Sequence, residues 1–549
     1  MAESHKPAEG RGIGLYVGGT QLGADFTPTV QASQSWTVEE DCDVVVKNTN
    51  GCHIYSIAVT EGEQEAPEPI LTFTAPVGSE VSMTFGVHGT EDTFSVDFGD
   101  GQLQTEKIGI DNKGPVKEDG TTGSATTFTG TVAGDGTIKV YGTNDVWYFI
   151  GMGGVMPTSF DQVKLMNVVQ MSITGADVES VVLPAYPQMT QFSMNNSSVK
   201  SVDVSNVPTL TSLTVNSYTA SKFEPQLESI DVSKNTELTY LSLQGQPNKK
   251  NGKLTIVDLT KNTKLENVYL QDNQLNEVKL ADNYAKLAAF NGQNNLLTAF
   301  DATKTPAMKT LYLAENKLTA IDVSGCANMT WLDVKNNQLA GDLDLTANQK
   351  FQNVYVNNNQ LTSVKVANVT KQFYVDGNLM TLATLPAQPA GMNTASKTKK
   401  FTYAPQAALK VEENVGMLDL SSQLTVVKGE LNPADFTQWL GGTTNYSFVT
   451  ASGTALVEGT DYEVVEPGKF KFLTAQAEKV HGVMTTTAFP KFTGANVYQT
   501  TAFTIDTALA ISDVKTAAVT TKVYNLQGVE VAQPVKGVYI QNGKKVVVK

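Results

Sequence analysis

Four histidines, at positions 5, 53, 88 and 481, and three cysteines, at 42, 52 and 326, are the side chains of this 549-residue sequence best suited to hold a metal or act as nucleophiles. Their spacing builds no centre. There is no His-Glu-x-x-His to set two imidazoles on one helix face, and no Gly-x-Ser-x-Gly turn to expose a serine. The glycines of "GRGIGLYVGG" have the wrong spacing for a dinucleotide and no strand-turn-helix context. In "GQPNKKNGKL" six residues, not four, separate the glycines, and Leu254 stands where a phosphate loop needs Ser or Thr. Asp97 and Asp100 in "DFGDG" lack the further acidic ligands of a calcium loop, so a tight glycine turn is expected there. Asp322, Asp333 and Asp344 recur with a sequence repeat and not as a catalytic pair. The expectation is no enzyme, no cofactor and no metal.

Composition narrows the partner classes. A formal charge of -15 opposes nucleic acid, whose phosphates call for a basic patch. No apolar run approaches the ~20 residues of a membrane span. The opening "MAESHKPAEGRG" lacks the apolar core of a secretory leader, which leaves a cytosolic protein and one whose leader was removed both open. Cys42 and Cys52 lie ten positions apart among expected strands, and a disulfide between them is equally open. Cys326, alone inside a repeat, reads as a small buried residue.

The elements that would position a site are set by that repeat. The frame L-x-x-L-x-L-x-x-N-x-L starts at Leu265, Leu287, Met308, Met329 and Phe351, with a shorter unit at Thr370, in steps of 22, 21, 21, 22 and 19 residues. Weaker units reach back to Leu238, Leu210, Met189 and Val168. The last two apolar positions of L-x-x-L-x-L are two apart, so both point inward from an extended strand and the residue between them points out. Asn273, Asn295, Asn316, Asn337, Asn359 and Asn378 fall just after these strands. There an amide can bond main-chain groups that the turn leaves unpaired, and repetition makes a buried asparagine ladder.

These units resemble leucine-rich-repeat proteins. "LESIDVSKNTELTYLSL", "LTIVDLTKNTKLENVYL" and "LTAIDVSGCANMTWLDV" are similar to the short bacterial repeats of internalin-J-like surface proteins. The resemblance implies a solenoid of stacked parallel strands over roughly 160 to 385. The whole chain then divides into a segment 1–25, small β-modules over 26–140, the solenoid with its N-terminal cap over 141–385, a linker over 386–400, an immunoglobulin-like β-sandwich over 401–505, and a linker with a tail over 506–549. The fold class is mainly β.

"KVYNLQGVEVAQPVKGVYIQNGKKVVVK", 522 to 549, resembles the C-terminal sorting tails of secreted Bacteroidetes proteins. The matching positions are Tyr524, Gly528, Gly537, Tyr539, Lys544 and Lys545. Five lysines against Glu530 give this stretch a formal charge of +4, opposite to the chain as a whole. The resemblance implies type IX secretion and a place at or beyond the outer cell surface.

Positions 3, 5 and 7 of each unit must project from the sheet, and down the ladder they form columns. Position 5 holds Tyr269, Asn291, Tyr312, Asp333, Tyr355 and Tyr374; position 3 adds Tyr240 and Trp331. Exposed aromatics on a rigid face suit an interface, because rings bury apolar area and keep a polar tip. The expectation is a monomeric, non-enzymatic, adhesin-like protein whose partner is a host or neighbouring-cell protein held by Tyr240, Tyr269, Tyr312, Trp331, Asp333, Tyr355 and Tyr374. A glycan stacked on the aromatic stripe is the alternative, and a structural spacer without ligand is the third reading.

Overall fold

In a computed structural model of the chain, the main body is described at residues 68–110, 113–142, 146–153, 159–161, 167–175, 179–217, 224–393, 395–426, 428–432 and 435–509. Shorter described segments are 2–4, 12–17, 20–21, 26, 34, 44–49, 52–54, 523–526, 529–531, 535–541 and 544–548. Cys42 and Gly528 lie outside the described residues, and with Cys42 the question of a disulfide to Cys52. Residues 1–68 form one compact unit and 69–549 another. In the first, Gly12–Val17 pairs antiparallel with both Thr20–Gln21 and Val44–Thr49.

The second unit is built on a fourteen-stranded sheet. Strands as short as Asn267–Tyr269 and Thr310–Tyr312 suffice, because each pairs on both sides and sends one apolar side chain inward. From Val146–Gly153 to Lys400–Thr402, twelve consecutive strands of this sheet run parallel. Leu241, Val268, Phe290, Leu311, Leu332, Val354, Phe373 and Phe401 stand in one buried column. Each side chain contributes about 1.5–3 kcal/mol by leaving water. Register is therefore strongly specified, since a one-residue slip would turn the whole column outward.

The return leg of each turn is set by aspartate. Asp258 Oδ1 accepts the Thr260 N–H at 2.9 Å and the Thr260 hydroxyl at 2.7 Å, and Asp344 treats Thr346 in the same way. Short parallel pairs such as Ile256–Asp258 with Glu277–Lys279 run along this edge. Among the described residues the only helical turns are short 3-10 segments. The architecture is a mainly β leucine-rich-repeat solenoid with β-modules on both sides.

Both ends of the solenoid are sealed differently from the expected boundaries. Glu80–Val87 pairs antiparallel with Val146–Gly153 and with Thr127–Thr131, so the module before residue 140 shares the ladder sheet and covers its first strand. A second sheet, containing Leu71–Thr74, Thr137–Tyr141 and Asp92–Asp97, belongs to the same module, whose core includes Phe73, Phe85, Phe94 and Phe128. The Asp97 carboxylate accepts the N–H groups of Gly99 and Gly101 at 2.8 and 3.0 Å, so it closes a turn.

At the other end, the stretch expected as a linker carries the ladder's last turn. Gln388 and Met392 are buried, and Lys400–Thr402 pairs in parallel with Gln372–Tyr374. Phe373 stacks on Phe401, Phe401 meets Tyr403, and Tyr403 meets Phe489 and Phe492, with centroids 5.6, 5.3, 5.0 and 5.3 Å apart. The solenoid core thereby continues into residues 401–505. There Phe448, on Asn445–Thr450, packs against Phe470 and Phe472, on Lys469–Phe472, and joins two three-stranded sheets. Trp439 is half-buried under the Lys428 ammonium and stands apart from that cluster. Val523–Tyr524, Gly537–Gln541 and Lys544–Val548 form a three-stranded antiparallel sheet.

Candidate binding face

The register places Tyr240, Asn267, Ala289, Thr310, Trp331, Asn353, Gln372 and Lys400 in one column on the face opposite the core. The next column holds Ser242, Tyr269, Asn291, Tyr312, Asp333, Tyr355, Tyr374 and Thr402. Strands ~4.8 Å apart bring rings of successive turns into contact. Tyr312 and Trp331 lie 5.6 Å apart between centroids, Trp331 and Tyr355 5.7 Å, and Tyr355 and Tyr374 5.0 Å. The Lys400 ammonium sits 5.4 Å from the Tyr374 ring and that of Lys335 5.5 Å from the Tyr355 ring.

Tyr240 and Tyr269 form a separate pair at 5.6 Å. The Ala289–Asn291 strand, whose one ring, Phe290, is buried in the core, divides the pair from the run. The stripe is thus two groups, and its rings are half-buried against one another where the sequence suggested full exposure.

Asp333 departs furthest from its expected role. It is 6 % exposed, its Oδ2 is 3.0 Å from Lys335 Nζ, and burial raises its carboxyl above the usual range against the pull of that lysine. It is a packed ion pair set between Tyr312 and Tyr355 in the same column and is not open to a partner. Burial, then the neighbouring Tyr374, Asp333 and Tyr312, pushes the Tyr355 phenol up to about 12, so it stays a hydrogen-bond donor at neutral pH. Its hydroxyl donates to Gln372 Oε1. The indole N–H of Trp331 is buried and has no acceptor.

The asparagine column beside this face is a continuous hydrogen-bonded ladder. Asn316 Nδ2 donates to the carbonyls of Gly292 and Leu313 at 2.9 and 3.1 Å, and its Oδ1 accepts the Leu297 N–H at 2.9 Å. Asn295, Asn337, Asn359 and Asn378 make the same bonds, while Asn273 donates to the carbonyls of Leu243 and Leu270.

Two further columns are absent from the sequence reading. Asp272, Asn294, Glu315, Asn336 and Asn358, each just before a ladder asparagine, have φ between 54° and 63°, and Gly377 has 67°. A run of Asn, Asp and Gly at that position was the available signal. On the far edge Asn235, Asn262 and Asn348 bridge carbonyls of the preceding turns. Thr305 and Cys326 fill the same slot, Cys326 Sγ lying 3.6 Å from the Ala302 carbonyl and 3.5 Å from that of Thr305. The D-[VL]-[ST]-x-N spacing encodes it.

In the tail sheet Tyr539 is buried, Tyr524 half-buried and Lys545 exposed, with Gly537 beside the Tyr539 ring; Lys544 begins the last strand. Among the described residues no three His, Cys, Asp or Glu side chains converge, and no helix is long and apolar enough to cross a membrane.

No family model matches the sequence, and no curated protein does. Solved structures do. The functional domain of InlJ from Listeria monocytogenes is 16% identical over 64% of this chain and 79% of that one, with a TM-score of 0.35. InlP of the same organism is 16% identical over 64% and 91%, with a TM-score of 0.29. An internalin, inlF, from Listeria monocytogenes is 16% identical over 44% and 76%, with a TM-score of 0.29. At this distance they add nothing to what the chain's own register establishes.

Proposed function

We propose that this is a non-enzymatic, adhesin-like binding protein that engages a protein partner through Tyr312, Trp331, Tyr355 and Tyr374. One observation carries the choice of partner: the rings of this run lean on one another at 43°, 38° and 74°, and the Lys400 ammonium sits over Tyr374, so only Tyr312 keeps a side without such a neighbour. A sugar stacks on a free ring face, whereas a protein surface can pack on ring edges and bond to tyrosine hydroxyls, as antibody paratopes do. Half-burial supports the same reading, since rings already held by their neighbours lose little side-chain freedom on binding. The Asp333–Lys335 pair, set between Tyr312 and Tyr355 with Lys335 against the Tyr355 ring, braces the run and leaves recognition to the aromatics. A host or neighbouring-cell surface protein is the partner class, and the chain acts as a monomer. Tyr240 and Tyr269 extend the face toward the N-terminus.

The triple substitution Tyr312→Ala, Trp331→Ala and Tyr355→Ala tests it. Immobilised full-length protein is exposed to biotinylated surface proteins of host or neighbouring cells. The variant should lose at least about tenfold in captured partner, as removal of several central aromatics does, with an unchanged circular dichroism spectrum. Equal capture would remove this face from the function and leave the spacer reading.

Residues 401–505 serve as an immunoglobulin-like spacer in this proposal. The basic tail serves as a sorting element that brings the protein to the outer surface or the medium. Deleting 522–549 in the native bacterium should leave the protein in the periplasm. Surface display without the tail would refute the localisation.

A further inference from the structure

The three outward columns of the ladder change character along its length. From Gln170 to Ala314, seven successive strands place only Ser, Thr, Asn, Gln, Ala and Tyr at these positions, without one ionisable acid or base. The next four strands bring Asp333, Lys335, Asp376 and Lys400. An uncharged stretch of this length stands out in a chain whose charged residues make up 17% of the sequence. Its polar side chains are already ordered along the ladder. Ser193 and Ser172 share a hydroxyl bond of 2.8 Å, Ser242 donates to Asn216 Oδ1 at 3.0 Å, and Gln271 donates to Gln244. Asn195 Oδ1 and Gln271 Oε1 have no partner.

This half also holds free ring faces. Tyr269 is covered by Tyr240 on one side only; on the other the column continues to Asn291, with Ala289 beside it. Tyr312 is covered by Trp331 and faces the same gap. Two strand spacings separate Tyr269 from Tyr312, roughly 9.6 Å. A saturated ring needs about 3.5–4 Å to each aromatic face, so the gap admits one. A guanidinium would fit by size, but it would find no carboxylate on these columns to replace its hydration.

We propose that the uncharged N-terminal half of the ladder face, centred on the slot between Tyr269 and Tyr312 over Ala289 and Asn291, is a second binding site for a neutral oligosaccharide. One sugar ring enters the slot, and its neighbours bond to the amides and hydroxyls of adjacent strands. The slot shares Tyr312 with the ring run proposed for the protein partner, whereas Asn291 belongs to the slot alone, so Asn291→Tyr tests the slot apart from protein capture.

Calorimetry on the full-length protein tests it with neutral cello-, chito-, malto- and xylo-oligosaccharides, an oligogalacturonate as anionic probe, and N-acetyl-arginine amide as cationic probe. At least one neutral series should bind, with an affinity that changes less than about twofold between about 50 and 500 mM salt, since screening acts only on charges. Asn291→Tyr, which fills the slot, and separately Tyr269→Leu, which removes its wall, should each weaken binding at least about tenfold. Lys279→Ala, on the return leg at the far edge, should leave it unchanged. Circular dichroism and thermal melting confirm that each variant folds, and two variants keep the test open if one does not. No binding by any neutral series, preference for the anionic or arginine probe, or indifference to both slot variants would each overturn the proposal.

Discussion

Glu315 occupies a position that its neighbours fill with Asn, Asp or Gly, at φ 58°. A left-handed backbone crowds the Cβ of most residues and costs them about 1–2 kcal/mol, which Asn largely avoids. Glu315→Asn should therefore raise stability by about 1 kcal/mol in a urea titration. It keeps an acceptor for the Asn336 amide, which now donates to the Glu315 carboxylate. Asn316→Leu should act in the opposite direction. It leaves the buried N–H of Leu297 without an acceptor and takes from the carbonyls of Gly292 and Leu313 one of the two asparagine amides each accepts, at about 1–3 kcal/mol in the same titration. The ladder asparagines were legible because they repeat in a fixed slot. The left-handed column was legible in part: Asp272, Asn294, Asn336, Asn358 and Gly377 are the residue types that tolerate that angle, and Glu315 breaks the run.

At the scale of one turn, the aspartates of the return leg link the fold to pH. Bonds from the hydroxyl and then the N–H two residues on hold Asp203, Asp231, Asp258 and Asp344 below the usual carboxylate range; for Asp322 the Ser324 N–H comes first. A carboxyl lowered in the folded state gives stability that is complete above its unfolded pKa and lost as pH falls through the folded one. The urea midpoint should fall between about pH 5 and pH 3, and Asp258→Asn, which accepts the same bonds without titrating, should flatten that fall. The alternation of apolar and outward residues identified the columns of the face from sequence alone, because a strand has a period of two. What alternation omits is how far neighbouring rings lean on each other. That decided that Asp333 is buried and that Trp331 has no free face.

Over the whole molecule, the buried cluster runs without a break from Ile70 to Ile505, so the modules at both ends act as caps for a core that no single turn can close. Phe401 is the joint at the C-terminal end. Phe401→Ala should cost about 3–5 kcal/mol. Hydrogen exchange should speed up mainly in the turns from Phe351 to Leu385, because each turn of a solenoid contacts only its neighbours; uniform acceleration along the ladder would refute this nearest-neighbour account. The sequence by itself determined the mainly β class, the period, the inward leucines, the asparagine slots and the columns that face outward, since all follow from spacing along one strand or turn. Where the solenoid ends was decided only by tertiary structure. Glu80–Val87 and Lys400–Thr402 join the ladder sheet by pairing with strands far from them in sequence, and stretches without the repeat carry no local mark of that pairing. The packing of Tyr312, Trp331, Tyr355 and Tyr374 into one run was settled there too, because it depends on which side chains become neighbours across turns.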